Sequence, residues 1–105
     1  MKFNIDDYKT RSKTSVCMNC RTEDEAEIFL EYLHSCGKRW SSGDSYRDNK
    51  KYYTVYRDET CYFFLDGTYS SLRWAKDEKC EILYFSDFDW DDSVDLKIAY
   101  DDLFT

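Results

Sequence analysis

The sequence predicts an α+β domain: an antiparallel or mixed sheet of four to six strands with one principal amphipathic helix packed on one face. Three observations carry that prediction. Residues 22–37, "TEDEAEIFLEYLHSCG", combine a helical apolar stripe with a start and a stop signal. "TCYFFL" (60–65) and "CEILYF" (80–85) are short aromatic and β-branched runs of strand type. The 105 residues are 42% hydrophobic and 19% aromatic, with no proline and three glycines. That composition fits a single small domain over 1–105 and excludes a disordered or linker-rich chain.

"TSVCMN" (14–19) reads as the first strand. In the helix that follows, Thr22 and Glu25 form a capping box, and Glu23 and Asp24 place negative charge at the positive end of the dipole. Ala26, Phe29, Leu30, Leu33 and Cys36 recur at three- and four-residue spacing. Gly37 supplies a left-handed cap. "SSGDSYRDNKK" (41–51) is a polar loop. "YYTVY" (52–56) and "TCYFFL" are strands by content, and Asp66-Gly67 suits a two-residue hairpin turn with "TYSSL" (68–72) returning. "RWAKDEK" (73–79) fits a short helix or a turn. "CEILYF" and "VDLKIAY" (94–100) complete the strands, the second with Val94, Leu96, Ile98 and Tyr100 on one face.

Charge is distributed unevenly. The net charge is −7, yet residues 1–80 hold fourteen acids against fourteen lysines and arginines. The imbalance sits in an acidic carboxyl-terminal segment, 81–105, where Glu81, Asp87, Asp89, Asp91, Asp92, Asp95, Asp101 and Asp102 face Lys97 alone. Asymmetry of this kind marks an interaction surface. An extended path through 87–91 sends Asp87, Asp89 and Asp91 to one side and Phe88 and Trp90 to the other. Alternate carboxylates then fall about 6.6 Å apart, roughly half the axial density of phosphates on one DNA strand. A merely solvated strand face is the plainer reading of the same pattern.

Residue chemistry elsewhere is sparse. Cys17 and Cys20 form a CxxC between a strand and a helix, the position of a thioredoxin-type pair, but no proline is present to face it. Zinc would need two further ligands from Cys36, Cys61, Cys80 or His34, and no second paired motif supplies them. Small buried thiols are the simpler expectation. His34, the single histidine, suits the helix carboxyl terminus as a cation rather than general-base work. "SSGDS" (41–45) is a polar turn and not a phosphate-cradling loop. Asp91-Asp92 and Asp101-Asp102 do not have the spacing of a calcium loop. Arg47, Lys50, Lys51 and Arg57 interleave with Tyr46, Tyr52, Tyr53 and Tyr56, a pattern able to stack on single-stranded nucleic acid. The acidic remainder opposes steering of a polyanion, so an internal role beside the acidic tail is expected instead. No cofactor is expected. No apolar run approaches the roughly 20 residues of a membrane span. "MKFNIDDYKTR" lacks the apolar core of a signal peptide, and five cysteines without an export signal fit a reducing cytoplasm.

Several stretches resemble a group of small uncharacterised proteins of phages and mobile elements of Firmicutes. They are Thr22-Glu23-Asp24-Glu25-Ala26 with Phe29-Leu30 and Tyr32-Leu33, then Gly37, Trp40 and Ser42-Gly43, then Thr60-Cys61-Tyr62 and Phe85-Ser86-Asp87-Phe88. The similarity spans about residues 16–88 and implies a small phage-type α+β module with no catalytic residue to carry over. By analogy of class, acidic phage proteins of this size act as anti-CRISPR-like or anti-restriction-like inhibitors. The expected function is therefore a non-enzymatic inhibitor of host defence in the host cytoplasm. Its partner would be a host protein with a basic nucleic-acid-binding groove, such as a CRISPR effector nuclease, with no membrane and no direct nucleic acid involved. Asp87, Asp89, Asp91, Asp92, Asp95, Asp101 and Asp102 would supply the charge, and Trp90, Tyr100 and Phe104 the aromatic anchors. The alternatives are a generic phage regulatory or scaffold module and a small cysteine-based metal-binding protein.

Overall fold

A computed structural model of the chain describes residues 2–12, 14–47 and 53–90. Four strands form one mixed sheet in the order β3-β2-β1-β4. They are β1 (Val16–Cys20), β2 (Thr60–Phe63), β3 (Thr68–Ser71) and β4 (Glu81–Tyr84). β1 is central, antiparallel to β2 (Met18 opposite Tyr62) and parallel to β4 (Met18 opposite Leu83). β2 and β3 make an antiparallel hairpin, with Tyr62 opposite Tyr69. The α+β architecture and the strand count are those expected from the sequence.

The principal helix, α1 (Glu23–Ser35), starts and stops where its residues require. Thr22 Oγ1 accepts from the Glu25 amide at 3.1 Å. The reciprocal arm is shifted by one position, because Glu25 Oε1 accepts from the Arg21 amide at 2.9 Å. At the other end Gly37, at φ 77°, lets Lys38 N–H reach Leu33 O (3.0 Å) and Gly37 N–H reach His34 O (3.0 Å). That pair of bonds is the Schellman closure. Ala26, Phe29, Leu30 and Leu33 are buried against the sheet, each large side chain contributing about 1.5–3 kcal/mol. Cys36, expected at the end of this stripe, is exposed instead. It is the cap residue beyond the last helical turn, so the stripe no longer controls its direction.

Alternation along the strands sorts two cores. Val16, Met18 and Cys20 of β1, with Tyr62 and Phe64, join the large core that includes α1. Cys17, Cys61 and Phe63 face the other way, where α3 (Leu72–Asp77) closes over them with Ala75. The segment left open as helix or turn is thus a helix, capped by Ser71 Oγ on the Trp74 amide at 3.1 Å.

Two expected elements differ. The described part of "YYTVY" is a helical turn, α2 (Tyr53–Tyr56), and not a strand. It lies outside the sheet, and its aromatic content favours a strand only where a pleated, half-buried surface awaits it. Here Val55 and Tyr56 are exposed, and a left-handed Arg57 (φ 52°) turns the chain into β2. The hairpin is also longer than two residues: Phe63 pairs with Thr68, leaving 64–67 as its loop. Gly67 (φ 79°) sits under the neighbouring loop, and a Cβ there would lie 2.6 Å from Ser41 N. The close approach lets Ser41 N–H donate to Gly67 O at 2.9 Å. The expected strand 94–100 lies outside the described residues.

Candidate functional site: the acidic carboxyl-terminal edge

The site begins on β4, the edge strand held in parallel register by β1. After Tyr84 the chain makes a 3-10 turn over Phe85–Asp87 and then runs to Trp90. Aromatic packing fixes this path. Trp90 stacks on Phe85 with centroids 4.4 Å apart and planes 3° from parallel. Its Nε1–H donates to Phe85 O at 2.7 Å. Phe3 touches Trp90 (5.6 Å), Phe88 (5.5 Å), Phe64 (5.2 Å) and Phe29 (5.8 Å), so one ring from the amino-terminal segment organises the carboxyl-terminal one.

With Phe88 half-buried and Trp90 buried, Asp87 and Asp89 are exposed. The expected division of acids outward and aromatics inward therefore holds over 87–90, although it starts in a 3-10 turn and not in an extended strand. Trp90 is corrected as a partner anchor. At 8% exposure, with its N–H bonded to Phe85 O, it is a core side chain. Asp91, Asp92, Asp95, Tyr100, Asp101, Asp102 and Phe104 lie outside the described residues.

The amino-terminal segment adds features that pattern reading missed. Lys2 forms a parallel bridge with Asp89, and a 3-10 turn over Ile5–Tyr8 carries exposed Asp6 and Asp7. Tyr32 ties that turn to α1: its hydroxyl accepts from the Ile5 amide (3.1 Å) and donates to Phe3 O (3.4 Å). Burial pushes the Tyr32 phenol up to about 12. Arg11 pairs with Glu81 and lies over the Tyr8 ring at 5.6 Å. Burial, then the negative charges of Glu81 and Asp7, raise the Tyr8 phenol. The only sequence signals for this segment were Phe3 and Ile5, too few to show a period.

Cys17 and Cys20 do not converge. Both lie inside β1, not after it, and three residues along a strand they point to opposite faces, Cys17 into the α3-side core and Cys20 into the large one. A CxxC chelate or redox pair is therefore not formed. Among the described residues no group of three or more His, Cys, Asp or Glu side chains is placed to hold a metal ion. His34 Nδ1 lies 3.2 Å from Ser45 Oγ. In the tyrosine-rich basic stretch, Arg47 pairs with Glu31 of α1 at 3.0 Å, while Lys50 and Lys51 lie outside the described residues. The "SSGDS" turn closes on itself, with Ser42 Oγ 3.2 Å from Asp44 Oδ2.

Chemically, Asp87 and Asp89 present hydrogen-bond acceptors and negative charge on a backbone held from beneath by stacked rings. Glu81 has its own arginine, so the acidic face begins at Asp87. No family model, no curated protein and no solved structure matches this chain.

Proposed function

We propose that this protein is a non-enzymatic inhibitor of a host defence system, anti-CRISPR-like or anti-restriction-like, whose acidic carboxyl-terminal surface occupies a basic nucleic-acid-binding site on its target. One observation carries the reading: the whole net charge of −7 lies in residues 81–105, on a body that is otherwise neutral. Its first aspartates, Asp87 and Asp89, are exposed on a segment anchored by Phe85, Trp90 and Phe3. A target groove rich in Lys and Arg would meet this charge, which raises the association rate and selects the partner. With Trp90 committed to the core, Tyr100 and Phe104 remain as the candidate anchors that supply affinity. The site of action would be the host cytoplasm.

The test is affinity capture from host cells at low and high salt, comparing wild type with a variant carrying Asp87, Asp89, Asp91 and Asp92 as Asn. The expected result is a captured nucleic-acid-binding protein that is released by salt, lost with the variant and displaced by DNA or RNA. A partner whose capture is indifferent to salt, to the substitutions and to nucleic acid would overturn the proposal.

A further inference from the structure

Two cysteines meet in a part of the fold the acidic edge does not use. Asn19 pairs with Cys61 across β1 and β2, so Cys17, two residues earlier, is the diagonal neighbour of Cys61 on the same face. Both are fully buried and, with Phe63 and Ala75, make up the small core under α3. Cys80, partly exposed, packs against the edge of the same cluster and donates to Thr14 O at 3.2 Å. Three of the five thiols therefore gather beneath one helix.

The two buried thiols are not equivalent. The neighbouring Cys61 side chain, then burial, push the Cys17 thiol well up, so Cys17 stays protonated. The Cys17 side chain draws the Cys61 thiol below its ordinary value against the opposing effect of burial, with Asn19 and Lys76 of α3 acting in the same sense as Cys17. Their cover is thin. α3 has six residues, and a helix under two turns has no stability of its own, so its opening is a local event.

We propose that Cys17 and Cys61 are a redox-active dithiol that closes to a disulfide between β1 and β2 when a hydroperoxide reaches it from the α3 side. The Cys61 thiolate attacks a peroxide oxygen. The O–O bond breaks, an S–O bond forms, and the departing oxygen takes up a proton to leave as water or alcohol. Cys17 then attacks the sulfenic sulfur; the S–O bond breaks, the S–S bond forms, and the hydroxyl leaves with the thiol proton as water. Two electrons pass from the sulfurs to the peroxide. Diagonal sites stand about 7–8 Å apart, beyond what a disulfide spans without backbone movement. Closure must therefore draw β1 and β2 together locally and leaves a strained, easily reduced bond, as suits a reversible switch.

The test uses the full chain, reduced and then treated with equimolar hydrogen peroxide, alkylated, and mapped by mass spectrometry without reduction. The expected product links the Cys17 and Cys61 peptides with loss of two hydrogens, and it persists when Cys36 and Cys80 are both serine. With Cys17→Ser, Cys61 stops at a sulfenic acid that dimedone traps. Oxidation confined to Cys36 or Cys80 in the wild type, or a link from Cys80 to either buried thiol, would overturn the assignment. Because the wild-type map is itself decisive, failure of a variant to fold does not shield the proposal.

Discussion

Trp90 and Phe85 stack face to face at 4.4 Å, and the tryptophan returns its indole N–H to the carbonyl of the residue it stacks on. Replacing Trp90 by Ala removes the stack, the contact with Phe3 and a buried hydrogen bond together. The expected loss is about 3–5 kcal/mol, read by urea denaturation. Trp90→Phe, which keeps a ring, should lose markedly less.

Asp87 and Asp89 should behave oppositely. Both are exposed, so Asp87→Asn with Asp89→Asn is expected to stay within about 0.5 kcal/mol of wild type in the same assay. A binding defect in that variant would then report the surface and not the fold.

Gly37 and Gly67 separate backbone strain from crowding. Both have positive φ, but a Cβ at Gly37 meets nothing within 4 Å, whereas at Gly67 it meets Ser41 N at 2.6 Å. Gly37→Ala should cost about 1 kcal/mol. Gly67→Ala must also push the 39–41 loop away and should be the worse by at least about 1 kcal/mol, as a difference in thermal midpoint.

Tyr62 points its hydroxyl into the large core, where it finds no hydrogen-bond partner among the described residues. Tyr62→Phe removes that burden without changing the ring. Stability is expected to rise by about 1 kcal/mol, against the usual sign of a core substitution.

Alkali should unfold the protein through its buried phenols. Burial pushes Tyr46 up to about 12 from its ordinary 10.0. The fold holds this proton more tightly than the unfolded chain does, so the stabilisation is complete below pH 10 and is lost as pH rises toward 12. Thermal midpoints should fall steeply across that window, and Tyr46→Phe should flatten the decline.

Much of the architecture was legible where a local rule had no competitor. α1 is one case, since its cap, stripe and Gly37 all agree, and the strands around Met18, Tyr62 and Leu83 are others. Legibility failed where the surroundings decide. Tyr53–Tyr56 has strand composition but stands outside the sheet, so a helical turn prevails. Phe3 has no periodic neighbours in sequence, and among the described residues its ring partners are Tyr8, Phe29, Tyr32, Phe64, Phe88 and Trp90. At the acidic edge, alternation correctly turned Asp87 and Asp89 outward. It could not show that Trp90 has a core of its own to enter, because that core is completed by residues more than eighty positions earlier.

That long-range closure bears on how the molecule is made. Phe3 and β1 are synthesised well before their partners Leu83, Phe88 and Trp90, which follow seconds later at ordinary translation speeds of roughly 5–20 residues per second. Until then one edge of β1 and one side of the Phe3 ring stay uncovered on the nascent chain. Such a protein acquires its shape only when synthesis has passed Trp90, and nascent-chain truncation with protease should find resistance appearing abruptly there.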